Sequence, residues 1–336
     1  MRKPATSENA INALNMLSSA QDYFVKQLSQ LCQPQHSEHA SFTAQEWLRD
    51  NGAHGGGIRF EAPQNSLFNR GSVNVSQIQY EDRPDKAFIS ATALSTIIHP
   101  INPLVPSIHI HVSWTELRSG KNYWRLMADL NPAISCEEDT ANFDNTLKTL
   151  GGQYYDQAKQ AGDDYFYIPA LKAHRGVSHF YLEGFNPEGI EGNAFAKQFV
   201  TGVIDSYIAI FSNKLTAAKN RLTADITQQQ KQTQLDYHTL YFYQVLTLDK
   251  GTTAGLLIHN QNDVGTLGSL PRFVNRHLLS QWVEKTPAPR DQLVNALVLA
   301  LADNNNGISE VTTEVTTEVK INIVQVMREH YKSHAL

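Results

Sequence analysis

At 336 residues the chain can bury a large core in one domain or two, and 41% hydrophobic with 18% charged residues describes an ordinary globular protein. A formal net charge of -5 with no basic stripe argues against broad nucleic-acid binding. Two cysteines, Cys32 and Cys136, are too few for a disulfide framework. With an N-terminus unlike a signal peptide, and no apolar run near the roughly 20 residues of a membrane span, they point to a cytoplasmic chain without a span.

Residues 8–31 read as a first helix, with Leu14, Leu17, Phe24, Leu28 and Leu31 at largely helical spacing and Ser7 as cap. A polar connector, CQPQHSEHAS, and a short element around Trp47 follow. Gly55 to Gly57 let the backbone bend or approach something closely; without a following Lys-Ser/Thr they read as a turn before a strand, not a phosphate loop. Ser72 to Val75 alternates as a strand.

Ser95 to Pro132 reads as a proline-punctuated loop followed by two strands and a tight turn. From Ser107 to Trp114, Ile108, Ile110, Val112 and Trp114 share one face, and His109, His111 and Ser113 the other. In the next run Trp124, Leu126, Ala128 and Leu130 lie opposite Arg125 and Asp129. A hairpin would set the histidine row beside the Arg/Asp row, a grouping suited to proton transfer or anion binding.

Beyond it, 137–149 reads as a helix with an acidic first turn, and Ser178 to Phe185 as a strand. Residues 190–230 read as one or two long helices striped by Phe195, Phe199, Val203, Ile210 and Leu215. Leu240 to Leu248 reads as a strand, Arg290 to Ala302 and Val319 to Tyr331 as helices, and EVTTEVTTEV as a repeat too short to define an architecture. No flexible linker stands out, so the expectation is a single domain, 1–336, with a core over about 40–285 and a helical extension over 286–336.

Several motifs in fixed order resemble the oxygen-dependent coproporphyrinogen III oxidases. These are the triple glycine leading into RFE, RGSVNVS, the SxxxHPxNPxxPxxHxH block from Ser95 to His111, and ADLNP at 128–132, where the family has a glycine-rich run ending in DLTP. DDYFYIP at 163–169, HRG at 174–176, LDKGTTAGL at 248–256 and GSLP at 268–271 follow. The resemblance implies an α+β fold, a large flat antiparallel sheet flanked by helices on both faces, and a homodimer. Its reaction uses dioxygen on a tetrapyrrole, with neither flavin nor nicotinamide.

It also assigns roles. His109 matches the family's proton donor and Asp129 its catalytic acid/base; read by pattern alone, an ordinary strand histidine fits His109 at least as well, and a turn-forming Asp before Asn-Pro fits Asp129 better. Ser95 and Arg175 match substrate contacts, and would otherwise be a loop serine and a surface arginine. The family's histidine set falls on His99, His109, Asp144 and Ala170; the last cannot bind anything, so no metal is expected.

The departures concern the substrate grip. The family's Asn-x-Arg falls on His111, Val112 and Ser113, and its glycines before the aspartate on Arg125, Leu126, Met127 and Ala128. A basic run becomes DYHTL at 236–240, and a Gly-Gly-Arg loop becomes Asn260, Gln261 and Asn262. Arg125, on the neighbouring strand, is the residue placed to restore the charge missing at Ser113. Two functions stay open: oxidative decarboxylation of a coproporphyrinogen, or a diverged member binding another small molecule or tetrapyrrole without that catalysis. A hydrolase using Ser95 or Ser113 with His109 ranks behind both, since no nucleophile elbow surrounds either serine.

Overall fold

The computed structural model describes residues 1–32, 41–63, 67–186, 191–220, 226–258, 263–302 and 311–334. The connector at 33–40 and the departures at 260–262 lie outside them. The chain divides into two compact units, one of Met1–Tyr165 with Gly176–Asp225, the other of Phe166–Arg175 with Ile226–Leu336.

The first unit is a seven-stranded antiparallel sheet. Its strands are β1 (Thr43–Leu48), β2 (Gly55–Glu61), β3 (Phe68–Gln79), β4 (Phe88–Pro100), β5 (Ser107–Leu117), β6 (Asn122–Asn131) and β9 (Ser178–Phe185), side by side in that order. Period-two alternation gives the sheet two unlike faces. One carries Val73, Val75, Leu94, Ile98, Ile108, Ile110, Val112, Leu126, Leu130 and Phe180, all in the buried core. Helices α1 (Glu8–Cys32), α2 (Glu137–Gly151) and α4 (Glu191–Asn220) pack there. Ser7 caps α1 by accepting the Ala10 N–H at 3.1 Å, as its spacing predicts. Helix α3 (Tyr155–Phe166) reaches the opposite, polar face at β9, where Tyr165 stacks on Tyr181. Helices therefore flank both faces of this sheet.

Glu191–Thr216, within α4, is long and apolar enough by composition to cross a bilayer, contrary to the expectation that no stretch would be. Its apolar stripe is packed away, with Phe199, Val200, Val203, Ile204 and Tyr207 fully buried.

Two expectations for this unit are revised. The HPINPLVP region is not loop from Ser95 onward: β4 runs through Pro100, so Ser95 and His99 are strand residues, and Pro100 ends the ladder where its missing N–H is harmless. Gly55 to Gly57 are the first residues of β2 itself. Gly55 and Gly56 have φ of +89° and +147°, and a Cβ on Gly57 would stand 2.6 Å from both Trp47 Nε1 and the Val75 carbonyl oxygen. The close approach they permit is the Trp47 indole lying across β2 to donate to Asn74 Oδ1 at 3.2 Å. Gly57→Ala is therefore expected to cost about 1–3 kcal/mol by urea denaturation and to shift the Trp47 fluorescence. Unchanged stability would mean the indole has room to move.

The second unit is mainly helical. It contains the short pairs β7 (Tyr167–Ile168) with β8 (Ala173–His174) and β10 (Phe273–Asn275) with β11 (Thr312–Glu314). Its helices are α5 (Gln228–Thr247), α6 (Lys250–Ile258), α7 (Asp263–Thr266), α8 (Arg276–Gln281), α9 (Arg290–Ala300) and α10 (Thr317–Ser333). Leu240 to Leu248, expected as a strand, is the end of α5. Its Tyr241, Phe242, Tyr243, Val245 and Leu246 are buried all round, so no helical period shows, and the Thr227–Gln230 capping box starts the helix upstream.

Candidate active site

The β5–β6 hairpin places His109 opposite Asp129, His111 opposite Met127 and Ser113 opposite Arg125 on the polar face. Directly opposed residues of an antiparallel pair share a face at about 5 Å, so the juxtaposition follows from register alone.

Asp129 is the centre of the arrangement. It is fully buried, and each carboxylate oxygen has a partner: Oδ1 lies 2.7 Å from His109 Nδ1 and Oδ2 2.6 Å from Asn131 Nδ2. The Asn131 amide also donates to the Asp129 carbonyl oxygen at 2.8 Å. A carboxylate only accepts, so His109 donates from Nδ1 and its Nε2 is the ring nitrogen turned away from Asp129. On the other side His179 of β9 is the cross-strand partner of Asp129, and Asp163 of α3 holds its Nδ1 at 2.8 Å. A carboxylate-backed imidazole thus stands on each strand flanking Asp129. Asn131, His179 and Asp163 were not foreseen. Asn131 is two residues beyond Asp129 and so on its face; His179 and Asp163 depend on long-range pairing.

Ser95, on β4, lies 2.7 Å from His111 Nδ1, and Ser113 Oγ lies 3.2 Å from His111 Nε2. Burial first, then the charges of Arg125 and His109, push the His111 pKa down to about 3. His111 is therefore a neutral hydrogen-bonding group at physiological pH, not a cation for a substrate carboxylate. Arg125 stands opposite Ser113, as expected of a compensating charge, but Glu183 of β9 takes its guanidinium, and the Tyr181 hydroxyl donates to the same carboxylate. The Glu183 carboxyl is held low: burial opposes this, and the bonds from Tyr181 and Arg125 overcome it. Met127, in a place the family leaves as glycine, is buried between Arg125 and Asp129 on the same face.

His99 is fully buried on β4, 2.9 Å from Ser107 Oγ, and Asp144 lies on α2. Among the described residues no three His, Cys, Asp or Glu side chains come together as metal ligands. Arg175, in the second unit, is buried between the Phe166 and Tyr241 rings, 4.2 and 4.9 Å from their centroids, and donates to Gln244 Oε1 at 2.6 Å. It is not a surface arginine.

Comparison with known proteins places the chain in a family. The family described as coproporphyrinogen III oxidase matches residues 12–298. The rat (Rattus norvegicus) protein named oxygen-dependent coproporphyrinogen-III oxidase, mitochondrial, is 27% identical over 258 residues, covering 69% of this chain and 56% of its own length. The Drosophila melanogaster oxygen-dependent coproporphyrinogen-III oxidase is 27% identical over 301 residues, 81% of this chain and 75% of that protein. The mitochondrial enzyme of Mus musculus is 26% identical over 258 residues, again 69% and 56%. The chain spans a little over half the length of the rat and mouse relatives. With a match over most of its length, the chain belongs to the coproporphyrinogen III oxidase family.

Proposed function

We propose that the chain carries out oxygen-dependent oxidative decarboxylation of coproporphyrinogen III or a close relative, as a cytoplasmic homodimer that uses dioxygen and no organic cofactor or metal. The observation that carries this reading is the Asp129 carboxylate, buried and held by His109 and Asn131 on a strand. Such a carboxylate can hold a pyrrole N–H and take its proton, and His109 can pass protons at Nε2 while Nδ1 stays on Asp129. Each propionate, with one dioxygen and one proton, would yield a vinyl group, carbon dioxide and hydrogen peroxide. The protein's share is orientation and exclusion of water. Ser95, His111 and Arg125 are the proposed substrate contacts on this face of the sheet. The test is aerobic incubation with coproporphyrinogen III and chromatography of the products. Vinyl products are expected; their absence from folded protein would overturn the reading.

A second reading is favoured by the state of Arg125. Its charge is already matched by Glu183, and Met127 fills the adjoining place. A face with its cation matched suits a ligand with fewer carboxylates than a four-propionate tetrapyrrole. The two readings separate on Arg125→Ala. If Arg125 grips a propionate, KM for coproporphyrinogen III should rise roughly tenfold or more with kcat little changed. An unchanged KM would assign Arg125 to the Glu183 pair alone and favour the second reading.

A further inference from the structure

In the second unit a cavity of about 200 Å³ is lined by Lys250 and Thr253 of α6, Arg290 of α9, His330 and Tyr331 of α10 and His334 at its C-terminal cap, with Thr247, Leu248 and 287–289 beside them. Four of these side chains are cations or become so on protonation, and no carboxylate lines the space. By contrast, Arg272 is matched by Glu314, Lys159 by Asp163 and Arg59 by Glu61. Among the described residues Lys250 and Arg290 have no carboxylate within ion-pair distance, and neither ring nitrogen of His330 has a hydrogen-bond partner. His330 and His334, one turn apart, stack with centroids 4.6 Å apart, and His334 Nδ1 lies 3.0 Å from the His330 carbonyl oxygen.

The family match ends at residue 298, so α10 and its two histidines lie outside the matched stretch, set against Lys250 of the LDKGTTAGL motif. We infer that α10 completes a second binding site, separate from the Asp129 centre, that takes a small multivalent oxyanion of the phosphate class through Lys250, Arg290, His330 and His334. Strongly charged oxygens match unpaired guanidinium, ammonium and imidazolium donors. The cavity is smaller than the roughly 300–1,000 Å³ of clefts for organic ligands, which points to an ion rather than a tetrapyrrole.

The surrounding charges agree. Burial, then His334 and Arg290, lower the His330 pKa, and Asp291 opposes them weakly. Asp249 at the start of α6 accepts the Thr252 N–H at 2.7 Å. An anion would relieve the repulsion that Arg290 and His334 exert on His330 and favour its protonated form, so binding should tighten as pH falls below the ordinary histidine range.

The test is calorimetric titration of the full chain with inorganic phosphate and with pyrophosphate at pH 6 and pH 8, in low salt. Saturable one-site binding is expected, stronger for pyrophosphate and roughly tenfold weaker at pH 8. His330→Gln/His334→Gln should remove the pH dependence, and Arg290→Gln should weaken binding at both pH values. Arg272→Gln, at a cation already paired, should leave it unchanged. Thermal midpoints of the variants without anion confirm folding. Absence of saturable binding, or equal binding by wild type and the Arg290 variant, would overturn the site.

Discussion

Asp129→Asn is expected to lower turnover of coproporphyrinogen III by about 10²–10⁴-fold, the range that a positioned acid or base contributes. The substitution keeps the size of the side chain, so its effect reports charge and proton-accepting capacity. Two donors converge on the carboxylate, His109 Nδ1 on Oδ1 and Asn131 Nδ2 on Oδ2. An amide offers only one oxygen, so one donor would face the new NH2 group in a fully buried place. His109→Gln should have a smaller effect, about 10- to 100-fold, because it removes the relay and leaves the base. Both variants need a thermal midpoint beside the rate. A loss below tenfold for Asp129→Asn in folded protein would remove Asp129 from the chemistry and leave it a structural carboxylate.

How much of this was legible in the sequence follows from which interactions are local. Alternation in 107–114 and 124–130 assigns faces, and a tight turn then brings His109 to Asp129 and Ser113 to Arg125; the register confirms both pairings. The helix stripes of α1 and α4 were readable for the same reason, since each buries one side against the sheet, and α2 was readable from its acidic first turn. Reading failed where burial removes the period, as at 240–248, and where β4 continues through residues that look like loop. It also failed where a partner comes from afar. Arg125 reads as an open cation until β9 brings up Glu183, and His179 reads as any strand histidine until α3 supplies Asp163. The His109–Asp129 pairing was legible, whereas the site's electrostatic balance depends on β9 and α3.

The second large expected effect is acid lability. Burial pushes the His238 pKa down to about 3, as burial with the neighbouring Arg125 and His109 charges does for His111. In the unfolded chain both should titrate near 6.5. Between those limits the unfolded state binds a proton that the folded state refuses. The stability that each neutral histidine represents is therefore complete above about pH 6.5 and is lost as pH falls toward 3. The slope approaches 1.4 kcal/mol per pH unit for each group, so two groups together remove roughly 3 kcal/mol per unit between about pH 5 and 4. Against a typical total of about 5–15 kcal/mol, that is enough to unfold the chain within a few pH units of neutrality. Urea midpoints at pH 7, 5 and 4 give the wild-type slope. His111→Gln keeps polar atoms for the Ser95 and Ser113 hydroxyls and has nothing to protonate. Its slope should be shallower by about 1 kcal/mol per unit, even if it is less stable at pH 7. Glu183 and Asp163, with lowered pKa values, lose their pairing alike in both proteins as pH falls, so the difference between the two slopes isolates the histidine. Parallel slopes would show that His111 is already solvated in the folded protein, and that the polar face is wetter than its hydrogen bonds suggest.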